Sequence, residues 1–530
     1  MGIYLNPGND AFLEAIQSEI YVDKTGLIAY TNRVMGTVRK NICVSRPRRF
    51  GKSMAANMLC AYYSHGCCSA ALFQGRKIHE DTSFTEHLNQ YDVLFLNMQQ
   101  FIRGARTPGN FVNYIEQKVL SEIKTLFPHL LHEQESSLPD ALMSIYTKGE
   151  QGKPGFIIII DEWDCIFREM KEDENSQKYY LYFLRDLLKD RPYVKLAYMT
   201  GILPIKKYGT HSALNIFEEF SMTDPKYLAP YTGFTEEEVK QLCLEYHMDF
   251  EEARQWYDGY RLDSHLHIYN PKSISDAMHN RKFKSYWTRT ETYEALRVYI
   301  DMNFDGLKDA VIAMTCGERC EINPDKFQND MTTFQSKDDV LTLLAHLGYL
   351  SYEESTRTVC IPNMEIAGEF RNAIEGSRGW EHLAKAIQHS EKLLDATLNQ
   401  DEQAVAQGID AVHTEHISLL SYNTENSLSC VISLAYFSAQ KEYILIREFP
   451  SGKGFADIVF LPRKSSAKPA MIIELKWDKS ATGAIAQIKN KGYVQALETY
   501  SGNILLVGIN YSKKSKRHSC IIERYSPNNA

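Results

Sequence analysis

No stretch of this sequence reaches the roughly 20 consecutive apolar residues that a membrane-spanning helix requires. The opening MGIYLNPGND has no basic flank leading into an apolar segment. A cytoplasmic protein without a membrane partner is the expectation. The 11 cysteines are odd in number and contain no Cys-x-x-Cys pair, so neither a disulfide framework nor a paired zinc knuckle is indicated. The close pairs, Cys67 with Cys68 and Cys316 with Cys320, read as reduced thiols. Internal repeats and long low-complexity segments are lacking too, which leaves ordinary globular domains. The composition, 44% hydrophobic and 12% aromatic, gives ample material for cores. At 530 residues the chain exceeds one core, and about 100–200 residues per domain suggests about three domains.

Net charge is unevenly spread along the chain. From residue 441 onward Lys and Arg number 15 against 7 Asp and Glu, so that stretch carries +8 while the whole chain carries −8. The basic end is where a polyanion would bind. The plain alternative is a solvated surface ending in a basic tail, KKSKRH at 513–518.

Short runs apolar throughout, at 41–44, 93–98, 156–160 and 194–201, alternate with helical patterns such as YLYFLRDLL at 180–188. Strands buried on both faces and separated by helices predict a parallel sheet in an α/β domain, placed at 1–230. From GFTEEEV at 233–239 helical periodicity takes over, predicting a mainly helical module at 231–410 with a lid or coupling role. Within it, 341–350 and the segment after it read as a helix and short hairpin, weakly winged-helix-like. Residues 411–530 return to a helix, strands at 443–449, 454–462, 471–477 and 503–510, and a helical stretch at 484–497, which is a third, α/β module.

The first strand runs into Ser45-Arg46-Pro47-Arg48-Arg49-Phe50-Gly51-Lys52-Ser53, and Met54 opens a helix. A loop ahead of a helix N-terminus offers free amides and the positive end of the dipole to phosphate oxygens. Lys52 would reach the β and γ phosphates, Gly51 permits close backbone approach, and the Ser53 hydroxyl would ligate Mg²⁺. The pattern GxxxxGK[ST] asks for glycine where Arg46 stands, and Pro47 removes an amide donor. Arg46, Arg48 and Arg49 would add charge-assisted contacts to phosphates. Asp161 and Glu162 stand at the C-terminal end of the strand FIIII, where ligands of open parallel sheets bind. Asp161 would hold Mg²⁺ through water, and Glu162 would orient or deprotonate an attacking water. Thr200, at the end of the next strand, could sense the γ-phosphate or simply be satisfied locally. ATP with Mg²⁺ is the expected cofactor set.

In the last module Asp457 lies on one strand, and Glu474 and Lys476 lie two apart on the next, facing one side together. Asp457 and Glu474 would hold a divalent cation, which polarises a phosphodiester, while Lys476 would position the nucleophile. Taken alone, an E-x-K triplet is more often a structural salt bridge. Gln487 on the following helix and Glu425 in the first turn of the preceding one shift the reading toward a catalytic site.

With YVDKTGLI at 21–28, SRPRRFGKS, IIIIDEWD, TGILPIKK at 200–207, WYDGY at 256–260, YNPKSI at 269–274 and the Asp457, Glu474, Lys476 set in view, the chain resembles bacterial AAA-ATPase-like proteins fused to a C-terminal PD-(D/E)XK nuclease-superfamily domain. The resemblance implies a P-loop ATPase core followed by a restriction-endonuclease-like fold, with Arg46 a family trait. Gly-Phe-Ala-Asp stands where the superfamily name suggests Pro-Asp. WYDGY and YNPKSI read as aromatic packing and turn elements. The expected activity is ATP hydrolysis coupled to a Mg²⁺-dependent nuclease acting on DNA before RNA. A nucleotide-driven switch whose last domain binds nucleic acid or a protein without cleavage stands as the alternative. A homo-oligomer is open, with no residue spacing that fixes it.

Overall fold

The structure, a computed structural model, describes residues 2–525 apart from 106–109, 132–136, 150–154, 206–213, 262–265, 288–292, 303, 378–379, 417–424, 452–453, 464–467 and 498–502. Lys206 and Lys207, the basic pair ending TGILPIKK, lie outside the described residues. The chain divides into two compact units, Met1–Thr290 with Glu321–Ile366, and Glu291–Cys320 with Ala367–Ala530. Among the described residues no helix is long and apolar enough to cross a membrane.

Five strands, β1 (Asn41–Ser45), β2 (Asp92–Asn97), β3 (Phe156–Asp161), β4 (Val194–Gly201) and β5 (Glu218–Phe220), form a parallel sheet in the order β2-β3-β4-β1-β5. The unbroken apolar run of β3 follows from burial on both faces. Ile157 and Ile159 enter a core with helices α1 (Gly26–Val34) and α2 (Lys52–Tyr63), whereas Ile158 and Ile160 enter a second core with α3 (Phe111–Leu126) and, beyond the short helix α4 (Cys165–Glu169), α5 (Glu174–Leu188). Strand β5 escaped the pattern reading because three residues, Glu-Glu-Phe, carry two charges.

The remainder of the first unit is helical with small sheets, more strand than the helical reading allowed. Helix α6 (Glu236–Tyr246) opens with a capping box between Thr235 and Glu238. After α7 (Phe250–Tyr257), the short strands β6 (Phe234–Thr235), β7 (Tyr260–Arg261) and β8 (His267–Tyr269) pair in the order β6-β8-β7. WYDGY and YNPKSI shape this region. Gly259 has φ 114°, and a side-chain carbon there would lie 2.1 Å from the Pro362 carbonyl oxygen, so only glycine fits. Asn270 caps α8 (Pro271–Asn280), accepting from the Lys272 and Ser273 amides. The expected helix and hairpin follow as α9 (Lys337–Leu347) and strands β9 (Ser351–Glu353) and β10 (Thr358–Cys360).

The Ser273 hydroxyl and the backbone N–H groups of Tyr286 and Trp287 all donate to buried Glu365. Burial, only partly offset by those bonds, pushes the Glu365 carboxyl up to about 7. A carboxyl raised in the folded state contributes stability below its unfolded value that is lost as pH rises through the folded one. Stability should therefore fall between about pH 4.5 and pH 7. Glu365→Gln, which cannot ionise, should flatten that part of the melting-temperature profile.

In the second unit, β11 (Tyr443–Ser451), β12 (Gly454–Pro462), β13 (Ala470–Trp477), β14 (Ile504–Ser512) and β15 (Arg517–Tyr525) form a sheet in that order. β13 and β14 are parallel and the other neighbours antiparallel. A crossover carrying α10 (Ala481–Asn490) links the parallel pair, and Ile485 and Ile488 of that helix pack into the core with Ile472 and Leu506. The alternative of a basic tail at 513–518 does not hold. Residues 513–516 are a turn and Arg517 begins an edge strand, in which buried His518 donates its amide to Asp410 at 2.8 Å and has its Nδ1 2.7 Å from the same carboxylate. Charge clustered at a hairpin turn looks, in sequence, like charge in a tail.

Candidate functional site

At the C-terminal edge of the parallel sheet the chain leaves β1 and enters α2 through the Arg-rich loop. Gly51, in the left-handed region at φ 83°, precedes α2 without capping it through a side chain. A side-chain carbon at Gly51 would meet nothing within 4 Å, so the backbone is open toward a cleft of about 720 Å³. Arg48, Lys52, Ser53, Gln100, Glu162 and Arg168 are among its lining residues. The amine of Lys52, buried, donates to the Pro47 carbonyl at 2.9 Å. Burial lowers its pKa, opposed by the charges of Glu162 and Asp161. Uncapped amides, a cradle without Cβ and a lysine beside two carboxylates fit a phosphate chain with its cation.

Glu162 adopts φ 55°, which a non-glycine residue takes up at a cost of order 1–2 kcal/mol and most often where function requires it. That geometry turns its carboxylate off the strand end and into the cleft, where Arg168 pairs with it. Arg168 also donates its Nε to buried Asp164 at 3.1 Å, and Asp164 in turn accepts the Ile202 and Leu203 amides. Burial raises the Glu162 pKa against the opposing charges of Lys52 and Arg168. Asp161 is wholly buried, accepting from Thr200 and from Asn97 Nδ2, which leaves about half of a carboxylate's acceptor capacity for a cation's water.

Several expected contacts are corrected. Arg46 does not face the cleft. Its guanidinium is fully buried and donates to Thr232 Oγ1 at 3.1 Å and to the carbonyls of Ser45 and Phe220 at 2.9 and 3.0 Å. Its amide is occupied by the Gly201 carbonyl, and burial pushes its pKa down to about 10. Thr200 spends its hydroxyl on Asp161 rather than facing the cleft. Pro47 meets Gly348, and Phe50 packs edge-on against Tyr260 at 5.4 Å. Arg48, Arg49, Gly51, Lys52, Ser53, Met54 and Glu162 do line the cleft. Arg46→Ala should accordingly cost about 3 kcal/mol of stability in denaturant unfolding, through stranded acceptors and a cavity. Arg48→Ala should leave stability nearly unchanged and weaken nucleotide binding.

Behind the loop lies a second, mainly apolar cavity of about 310 Å³ that shares Arg49, Gly51 and Met54 with the cleft. Tyr21, Val22, Phe50, Met58 and Phe234 help wall it, and Lys24, at its edge, is tied to Glu238 at 2.5 Å and to the Pro230 carbonyl at 2.8 Å. YVDKTGLI thus reaches the Gly51 loop.

In the second unit the β12–β13 register pairs Ile458 with Ile473, and one step further sets Asp457 across from Glu474. The Asp457 carboxylate accepts the Leu475 amide at 2.7 Å. Glu474, 1% exposed, accepts from the Lys476 amine at 2.8 Å and from Gln487 Nε2 on α10. Its other oxygen, Oε2, is buried without a hydrogen-bond partner among the described residues. Burial first, and Asp457 among the charges, pushes the Glu474 carboxyl up to about 7. A buried orphan oxygen beside a second carboxylate fits a divalent cation, which would supply the missing partner. The helix Glu425–Ala435 begins at Glu425, whose side chain lies outside the described residues.

Residues 8–210 match the family described as "Predicted AAA-ATPase", and residues 423–520 match the PD-(D/E)XK nuclease superfamily. The chain carries an AAA-ATPase-like domain and, C-terminal to it, a PD-(D/E)XK nuclease-superfamily domain. Lys52, Asp161 and Glu162 fall in the ATPase-like domain, and Asp457, Glu474, Lys476 and Gln487 in the nuclease-superfamily domain. A curated relative, the uncharacterized protein in the vnfD 5′ region of Azotobacter chroococcum mcd 1, is 26% identical over 292 residues, 51% of each chain. The chain spans about half the length of that relative. The Aeropyrum pernix ORC2 protein, solved as ADPNP–ADP complexes, is 11% identical over 69% of this chain and 97% of its own, with a TM-score of 0.29. The Aeropyrum pernix ORC1 protein, solved with DNA, is 11% identical over 70% and 97%, with a TM-score of 0.25.

Sequence reasoning missed Asn97, Gln99, Gln100, Arg168 and Glu169 in the ATPase-like domain, all of which line the cleft. Asn97 carried a signal. It is a polar residue ending the apolar strand beside β3, and its side chain also caps the next helix through the Gln99 amide at 3.1 Å. Arg168 carried none, because a lone arginine six residues past Glu162 looks like any helix surface.

Proposed function

We propose that this chain hydrolyses ATP with Mg²⁺ and uses the nucleotide cycle to control a Mg²⁺-dependent nuclease acting on DNA, with RNA the second choice. Residues 1–230 would do the ATPase work, 231–410 the coupling and 411–530 the cleavage. The observation that carries the reading is the meeting of a polar cleft and an apolar cavity at Gly51 and Met54. Phosphates suit the first and a nucleobase the second. The nuclease half rests on the orphan Oε2 of Glu474 beside Asp457 and Lys476, and on the positive charge of the last 90 residues.

Lys52 would neutralise the β and γ phosphates, with Arg48 and Arg49 adding contacts from the loop, while Ser53 and Asp161 hold the cation. Glu162, its pKa raised, would accept the proton of the attacking water once Arg168 releases it. In the second site Lys476 would offset developing charge and Gln487 would orient Glu474. The bound cation supplies charge neutralisation at both sites and a lowered water pKa at the second. Incubating the full chain with Mg²⁺ and DNA, with and without ATP, tests the coupling. ATP-dependent cleavage is expected. DNA retention without cleavage under Mg²⁺ or Mn²⁺ would overturn the nuclease half and leave the switch.

A further inference from the structure

WYDGY and the strand before YNPKSI carry a group that neither nucleotide nor nuclease chemistry uses. Glu236 is the first residue of α6, Asp258 follows α7 in the turn before Gly259, and His267 begins β8. One ligand atom from each lies within 4.8 Å of the other two. We propose that Glu236, Asp258 and His267 bind a divalent transition-metal ion of the zinc class, with water in the fourth position.

Two carboxylates and one imidazole are a donor set such ions accept, and three protein ligands with one open position make a recurrent arrangement. Nδ1 of His267 lies 3.0 and 2.8 Å from the two oxygens of Asp258, so a proton stands where the ion would go. Binding displaces it. An ion at about 2.0–2.1 Å from each ligand sets them about 3.4 Å apart, so the Asp258–His267 pair must open from 2.8–3.0 Å while the other ligand atoms stay within the 4.8 Å limit. The Glu236 and His267 side chains, 25% and 24% exposed, have room to turn.

A second observation points to a ligand. Tyr269 is two residues beyond His267 on β8, hence on the same strand face. Its hydroxyl is fully buried and has no hydrogen-bond partner among the described residues. A metal-bound water supplies the partner that the protein does not. The cations facing the group are Lys240, 2.5 Å from Glu236 Oε1, and Arg254, 4.0 Å from Asp258 Oδ2. Lys240 leaves Glu236 Oε2 for the ion and orients the carboxylate, as outer hydrogen bonds to metal ligands do. The ion would brace the start of α6, two residues after Phe234, a wall of the apolar cavity.

The test uses the full chain, stripped with chelator, dialysed and titrated with Co²⁺ and separately with Zn²⁺, without nucleotide. Wild type should bind one equivalent more than His267→Gln or Glu236→Gln, give Co²⁺ absorption bands of four-coordinate geometry that both variants lose, and gain about 3 °C or more in melting temperature with saturating Zn²⁺. Glu236→Gln keeps the Asp258–His267 pair and therefore reports on the site even if His267→Gln fails to fold. Equal stoichiometry and an equal thermal response in wild type and Glu236→Gln would overturn the site and leave a hydrated salt bridge.

Discussion

Lys52→Ala is expected to lower ATP hydrolysis by about 10³-fold, the scale on which single pre-organised charge partners act. The amine sits at the start of α2, buried and held on the Pro47 carbonyl, so little reorganisation separates its resting position from a phosphate. Removing it deletes one of the two cations whose charges oppose the burial of Glu162, so the Glu162 pKa should rise further as the phosphate contact is lost. Alanine is the strongest helix former, and α2 should persist. Phosphate release and circular dichroism on the same preparations check both halves. Hydrolysis unchanged beside an intact helix would remove Lys52 from the site.

Asp457→Ala is expected to abolish Mg²⁺-dependent cleavage, a fall of about 10³-fold or more given what a single cation contributes at a phosphodiester, while ATP binding stays intact. The alanine variant also strands the Leu475 amide, at about 1–3 kcal/mol. Asp457→Asn separates the two effects, because its amide oxygen can still accept from Leu475 while the charge is gone. Both variants should be inactive and only the first destabilised. Cleavage retained by Asp457→Asn would show that the cation is held elsewhere.

Much of the architecture was legible because both five-stranded sheets advertise themselves by burial. The run FIIIID has no polar face to hide, and the Asp457, Glu474, Lys476 set lies on strands whose twofold alternation fixes which side chains share a face. β5 and β15 were not legible, the first too short and charged, the second preceded by a turn so basic that it reads as a tail. Arg46 was misread for a related reason. A charged residue in a phosphate-binding motif is expected to face phosphate, yet the pocket formed by Thr232 and the carbonyls of Ser45 and Phe220 is assembled from residues up to 186 positions away.

The loop SRPRRFGKS, the strand-end pair Asp161 and Glu162, and the E-x-K strand were determined by the sequence itself, because strand and helix periodicities are local and set where those side chains start. Which arginine enters the cleft, what Thr200 bonds, the pairing of Arg168 with Glu162 and the approach of His267 to Asp258 and Glu236 were decided only in the tertiary structure. Each depends on desolvation and on hydrogen-bond partners supplied from distant segments, and neither quantity exists until the chain has packed.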